Sequence, residues 1–405
     1  METTEIREQD ILKIVAQLDI TPTMFKNADE KYRHLAEFLT EHGVEADFYP
    51  QGSFALGTVV KPSAKDPNAA YDLDAICQVR AIKDDIAPSE LWQMIQEALE
   101  SSEVYRSRLT VYDKCLTIQY ADVGEYGFSI DIVPAADETD KKKEELRSES
   151  TMPYLMDTAI AIPKKTSCGH CWITNNPKGY RKWFEEINAP FAEFSRNSFR
   201  LKLFENNSMV FDSVEDIPTG LERSSVQRVI QLLKYHRDVY FSKRKDGDDI
   251  KPISAIINTL VARIAQKVSP ALSVFELLDI VTAELATYSK QQFLDEGTFS
   301  KSYVGKGVIL RQGGQWKIMN PANPQDNLAD AWNKDPSIPF WFFKWAGFVR
   351  DDLISSLHLD EAEFRTKAEN ALGPANVQKV WGDRYKRVAP KPVVTERPAK
   401  PWREQ

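Results

Sequence analysis

Two aspartates one residue apart in an apolar stretch constrain this chain more than any other feature. They lie in Tyr71-Asp72-Leu73-Asp74-Ala75-Ile76-Cys77, which reads as a β-strand. Side chains alternate across a strand, so Asp72 and Asp74 share one face, roughly 7 Å apart at their Cα atoms, while Leu73, Ala75 and Cys77 face a core. Paired carboxylates repel and lose hydration, which is costly unless a cation lies between them. A third acid, Asp131, interrupts Phe128-Ser129-Ile130-Asp131-Ile132-Val133, a second strand-like run that ends at Pro134. Three such carboxylates are the parts of a two-metal phosphoryl-transfer site. Asp72 and Asp74 would serve both metals and the donor triphosphate, and Asp131 the ion beside the acceptor hydroxyl. Any one of them alone reads as well as an edge carboxylate; the spacing of the three carries the argument.

Upstream, Asp47-Phe48-Tyr49-Pro50 reads as a short strand entering Gln51-Gly52-Ser53, and Phe54 to Val60 could start a helix. Gln51, Gly52 and Ser53 are therefore candidate substrate contacts: glycine lets a phosphate approach closely, and the serine adds a hydroxyl donor or a helix cap.

With 405 residues and 42% hydrophobic content, the chain has room for two or three folded domains. No apolar run approaches a membrane span, no signal-peptide pattern opens the chain, and four cysteines fit a reducing cytoplasm. A net charge of −8 suits small charged substrates better than a long nucleic acid, so a nucleic-acid activator is not expected.

Apolar spacing predicts two helices between Glu5 and Gly43, separated at Thr21-Pro22, then strands near Asp47–Pro50 and Tyr71–Val79. A helix over Ser89–Leu99 and a hairpin of Leu109–Tyr120 with Gly127–Val133 follow, turning through Asp122, Gly124 and Glu125. Asp137–Ser150 reads as a solvated charged loop, and Trp172–Gly179 as a strand and turn. Beyond Arg223 the pattern is helical, with further helices at Ile253–Val268 and Ala271–Tyr288. The tail after Tyr385 is Pro-rich and basic, and reads as extended. The domains expected are N-terminal helices packing across both lobes (1–46), a catalytic domain (47–215), a helical substrate-binding domain (216–384) and the tail (385–405).

On the helix beginning near Ser224, Gln227, Gln231, Lys234 and Asp238 share a polar face, and Ser254 starts the next helix. From composition alone these are a solvated face and a routine cap. Cys168-Gly169-His170-Cys171 reads as an ordinary reduced pair, with half a zinc site or a redox pair as alternatives. Phe340-Trp341-Phe342-Phe343-Lys344-Trp345 reads as the core face of a helix rather than a base-stacking platform.

Together these residues resemble the bacterial cGAS/DncV-like nucleotidyltransferases (CD-NTases) of CBASS anti-phage defence, within the DNA polymerase β-like superfamily. The resemblance runs through Gln51–Thr58, Tyr71–Asp74, Phe128–Pro134, Trp172–Gly179, Leu233-Lys-Tyr-His-Arg-Asp238, Lys251-Pro-Ile-Ser254 and Asn320–Asn327 with Trp332. It implies an α+β, bilobed fold with a mixed-sheet catalytic lobe and a C-terminal helical lobe, and nucleotides in the cleft between them. It implies metal ligation by Asp72, Asp74 and Asp131, and triphosphate contacts from Ser53, Lys234 and Ser254. The activity implied is stepwise joining and cyclisation of nucleoside triphosphates to a cyclic di- or trinucleotide with release of pyrophosphate. Two Mg²⁺ or Mn²⁺ ions and no organic cofactor would be needed; the expected partners are nucleoside triphosphates and CBASS accessory proteins, with no membrane. The Cys168–Cys171 segment departs from the family pattern. Two other functions fit the residues less well: a template-independent transferase acting on RNA or protein, and a non-catalytic nucleotide sensor.

Overall fold

The computed structural model describes residues 3–61, 70–123, 126–206, 223–291, 293–302 and 307–386. Its chain order is α1 (Thr3–Gln17), α2 (Pro22–Glu41), β1 (Ala46–Pro50), α3 (Gly52–Leu56), β2 (Ala70–Ile82), α4 (Pro88–Glu100), α5 (Glu103–Arg106), β3 (Leu109–Val111), β4 (Leu116–Val123) and β5 (Tyr126–Asp137). There follow α6 (Asp140–Glu149), β6 (Ile160–Thr166), β7 (Gly169–Asn175), α7 (Pro177–Asn206), α8 (Ser225–Phe241), α9 (Gly247–Ile250) and α10 (Ser254–Ala265), then further helices and two short hairpins.

Alternating apolar residues put one face of each strand into a core. The seven strands form one mixed sheet in the order β1-β2-β5-β4-β3, with β6 beside the end of β5 and β7 beside β6. β2 and β5 run parallel; the other pairs are antiparallel. Leu73, Ala75, Cys77, Ile118, Phe128, Ile130 and Ile132 fill a core against α2 and α4. A second core gathers α7, α8, α10 and the later helices. The fold is thus α+β and bilobed, as the resemblance implied.

The first two helices divide between the cores. Ile11, Ile14 and Val15 of α1 belong to the helical core, whereas Met24, Ala28, Leu35 and Leu39 of α2 belong to the sheet core. Between them, Asp19 accepts hydrogen bonds from Arg228 at 2.6 Å and Gln231 at 2.6 Å on α8. Buried Asp10 of α1 accepts from the Tyr385 hydroxyl at 2.7 Å, and its carbonyl accepts from the Trp381 indole at 3.0 Å.

Several local expectations are corrected. The supposed loop at Asp137–Ser150 contains α6, capped by Thr139 and anchored by buried Leu146 and Lys143. The strand from Leu109 to Tyr120 is two strands, β3 and β4. The turn expected after Asn175 is the start of α7, a helix of 30 residues with Pro190 inside it, which the periodicity had not indicated. Phe342, Phe343 and Trp345 are fully buried, as expected of a core helix, although Phe340 is exposed. The Pro-rich tail beyond residue 386, and Gly124 and Glu125 of the expected turn, lie outside the described residues.

Candidate active site

The parallel register between β2 and β5 brings the three aspartates together. Asp74 pairs with Asp131 and Asp72 pairs with Ser129, so all three carboxylates emerge from the same face of neighbouring strands. The Ser129 hydroxyl donates to Asp72 Oδ1 at 2.5 Å, and the buried Thr117 hydroxyl on β4 donates to Asp131 Oδ1 at 2.6 Å. Asp72 and Asp131 thus each have their rotamer held by a hydroxyl one strand away.

The electrostatics show what the cluster costs. Asp74 is pushed up to about 7, first by burial and then by the charges of Asp131 and Asp72. Burial also raises Asp72 and Asp131, with Ser129 and Thr117 opposing it. Asp72 is solvent-exposed at the cavity wall, and the protein around its carboxyl still raises it. Among the described residues no three acidic, imidazole or thiol groups converge on a ready-made cage for an ion. An open, oxygen-only set of mutually repelling acids fits Mg²⁺, which retains water and takes substrate phosphates as its remaining ligands.

Gly52 and Ser53 lie in the first turn of α3, directly against this face. Gly52 has φ +63°, and a Cβ there would collide with Oδ2 of Asp74. The N-cap is Gln51, without a side-chain cap bond, so Ser53 does not cap the helix. Its hydroxyl lines a cavity of about 510 Å³ together with Gln51, Gly52, Asp72, Asp74, Lys234 and Ser254. Asp131 lies just behind this wall, beside Asp74, and does not line it.

The polar face of α8 is not solvated. Gln227 caps its own helix start and donates to the Leu56 carbonyl at 2.9 Å; Gln231 donates to the Val59 carbonyl at 2.8 Å. These two glutamines tie the lobes together and do not line the cavity. Lys234 and Asp238 do line it. Lys234 is nearly buried, donates to the Thr58 carbonyl at 3.0 Å, and is pulled down to about 8 chiefly by burial and then by Arg237. Ser254 is the first residue of α10, one past the N-cap Ile253, so it too is no cap; its hydroxyl accepts from Arg237 at 3.1 Å.

Sequence reasoning did not single out several other residues of the cavity wall, among them Tyr180 of α7, Asn258 of α10, and Asn320 and Asp326 of the hairpin formed by Met319–Asn320 and Asn323–Asn327. Of these, only Asn320 and Asp326 lie inside a segment that carried the resemblance. Cys168 and Cys171 are free and exposed, one in the β6–β7 turn and one on β7.

The profile of the Second Messenger Oligonucleotide or Dinucleotide Synthetase (SMODS) domain matches residues 7–188. A c-di-GMP synthase of Roseivirga ehrenbergii is 24% identical over 337 residues, covering 82% of this chain and 74% of that protein. Among solved structures, the CD-NTase CdnG of Bradyrhizobium diazoefficiens in complex with GTP superimposes with a TM-score of 0.65 at 18% identity, over 92% of this chain and 98% of that one. The cyclic AMP-GMP synthase DncV of Vibrio cholerae gives 0.51 at 15% identity, over 93% and 88%. Over residues 7–188 the chain is thus similar to second-messenger synthetases, and along nine-tenths of its length it shares the fold of the CD-NTase structures.

Proposed function

We propose that this protein joins nucleoside triphosphates and cyclises them to a di- or trinucleotide second messenger, with release of pyrophosphate. One observation carries the reading: Asp72, Asp74 and Asp131 share one sheet face, and Asp72 and Asp74 open into a cavity walled by Gly52, Ser53, Lys234 and Ser254. The 24% identical relative named as a c-di-GMP synthase supports the cyclic product.

Mg²⁺ or Mn²⁺ held by Asp72, Asp74 and Asp131 would supply charge neutralisation for the phosphates and acidify the attacking hydroxyl. The protein's own residues do the rest. Asp131, beside Asp74 and fixed by Thr117, would help the ribose hydroxyl lose its proton as that oxygen attacks the α-phosphorus. The bond to the bridging oxygen breaks, and pyrophosphate leaves against Ser53, Lys234 and Ser254. Gly52 lets the triphosphate approach Asp74 without a side chain between them. Catalysis is positioning and charge neutralisation.

The biological setting we propose is anti-phage defence signalling with accessory proteins. A structure of similar fold, CdnC of Escherichia coli MS115-1, is in complex with a HORMA protein and supports that setting by analogy.

Purified protein incubated with Mg²⁺ or Mn²⁺ and all four nucleoside triphosphates, then with phosphatase, should yield phosphatase-resistant cyclic species by mass spectrometry. Asp131→Ala should yield none. Linear products on added RNA or protein, without cyclic species, would favour a transferase with a macromolecular acceptor.

A further inference from the structure

The hairpin wall of the cavity holds a second polar constellation. Asn320 donates from Nδ2 to Asp326 Oδ2 at 2.9 Å, and its Oδ1 accepts from the Ala322 amide at 3.0 Å. Those two bonds fix which end of the Asn320 amide is nitrogen, so the pair is oriented without ambiguity. The hairpin that carries it is pinned to the sheet lobe: Asn176 donates to the Ala322 carbonyl at 2.9 Å, and Asn323 to the Thr174 carbonyl at 3.2 Å.

The sheet supplies a ruler. Asp131 lies beside Asp74, whereas Asp137, six residues further along β5, pairs with Ile160, which pairs with Asn175 at the end of β7. Six strand residues span at most roughly 20 Å, and the hairpin pinned at Thr174 and Asn176 lines the cavity from a different part of the sheet than Asp72 and Asp74 do. A carboxylate there also makes a poor phosphate neighbour, because two anions without a cation between them repel. The group that meets Asp326 must instead donate hydrogen bonds.

Asn320 Nδ2, Asp326 Oδ2 and Asp326 Oδ1 present, in sequence, a donor, an acceptor and an acceptor. A carboxylate accepts at about four lone-pair positions, and Asn320 uses one of them. The complementary edge is acceptor, donor, donor. Among the four standard bases only guanine offers it, through O6, N1–H and the 2-amino group. Adenine and cytosine pair a single amino donor with a ring acceptor, and uracil offers one ring donor between two acceptors.

We infer that Asn320 and Asp326 form a guanine-reading subsite that makes GTP the preferred nucleotide in this cavity. The inference rests on the nucleotidyltransferase reading above and adds to it the base and the two side chains that select it.

The test is equilibrium binding of GTP, inosine triphosphate and ATP to the intact chain with Mg²⁺, by calorimetry, with Asp326→Asn as a second arm. Inosine triphosphate lacks only the 2-amino donor and should bind about tenfold more weakly than GTP, with ATP weaker still. Asp326→Asn should shrink the GTP-to-ATP preference at least tenfold while leaving the melting temperature within a few degrees of wild type. If GTP, inosine triphosphate and ATP bind equally, or the preference survives Asp326→Asn, the subsite is overturned and the nucleotidyltransferase reading stands. If none binds, both fall. The inosine comparison uses the unaltered protein, so it decides the question even should the variant fail to fold.

Discussion

No side chain fits between Gly52 and Asp74: a methyl group on Gly52 would overlap the carboxylate oxygen Oδ2. The backbone of Gly52 is also in the left-handed region, at φ +63°. Close approach and conformation therefore demand glycine independently. Gly52→Ala is expected to lower turnover by about a hundredfold or more, through displaced Asp74, at a stability cost of about 1–2 kcal/mol. Pyrophosphate release and a thermal melt separate the two effects; near-normal turnover would contradict the assignment of Asp74 to the site.

The crowding of the aspartates predicts a pH-dependent stability. Burial and the neighbouring aspartates push Asp74 up to about 7 in the folded protein from the ordinary 3.8 of a free carboxyl, so folding takes up its proton. Its contribution to stability is complete below 3.8 and is lost as pH rises through about 7. At pH 8 the metal-free protein bears a carboxylate that folding disfavours, and Asp74→Asn removes it. The metal-free variant should melt about 2–5 °C above wild type at pH 8, with the gap closing as pH falls toward 4. A variant that melts lower at pH 8 would refute the electrostatic account.

Lys234 predicts the opposite coupling. Burial and Arg237 bring its ammonium down to about 8, with Asp238 and Asp74 opposing. A bound triphosphate favours the charged form, so binding should take up a proton near and above pH 8, and affinity should fall as pH rises past 8. Calorimetry at pH 8.5 in two buffers of different ionisation enthalpy measures that uptake directly. Lys234→Met should bind about tenfold or more weakly and lose the uptake.

Thr117 and Ser129 are positioning residues in this account. Thr117→Val leaves the volume unchanged but removes the bond to Asp131, and should weaken metal activation or turnover about tenfold to a hundredfold. Thr117→Ser, which keeps the hydroxyl, should recover most of it. A metal-titration midpoint and kcat that stay at wild-type values in Thr117→Val would show the bond to be merely structural.

Much of the fold was legible because its signals are local. The alternation around Asp72, Asp74 and Asp131 marks two strands, and the residues between the aspartates do sit in the core. What the local pattern could not show is which strand lies beside which. The Asp74–Asp131 pairing spans the whole of α4, α5, β3 and β4. Helix α6 was hidden because it is charged nearly throughout, and only Leu146 and the Thr139 cap betray it. Gln227 and Gln231 look solvated in a helical projection, yet they face Leu56 and Val59 carbonyls that come from the other lobe. Tyr180, Asn320 and Asp326 reach the cavity only through tertiary packing. Polar residues brought together over such separations leave no periodic trace in the chain.

The bond between Asp10 and Tyr385 joins residues 375 positions apart. A ribosome adds residues one at a time, so α1 waits without this partner until almost the whole described chain has emerged. The sheet lobe, whose strands lie within residues 46–175, can collapse long before that. The cleft, however, needs both lobes and the elbow at Asp19 that joins α1 to α2 against α8. A nascent chain is therefore expected to carry its aspartates early but to complete the cleft only once Tyr385 has emerged and docked against α1.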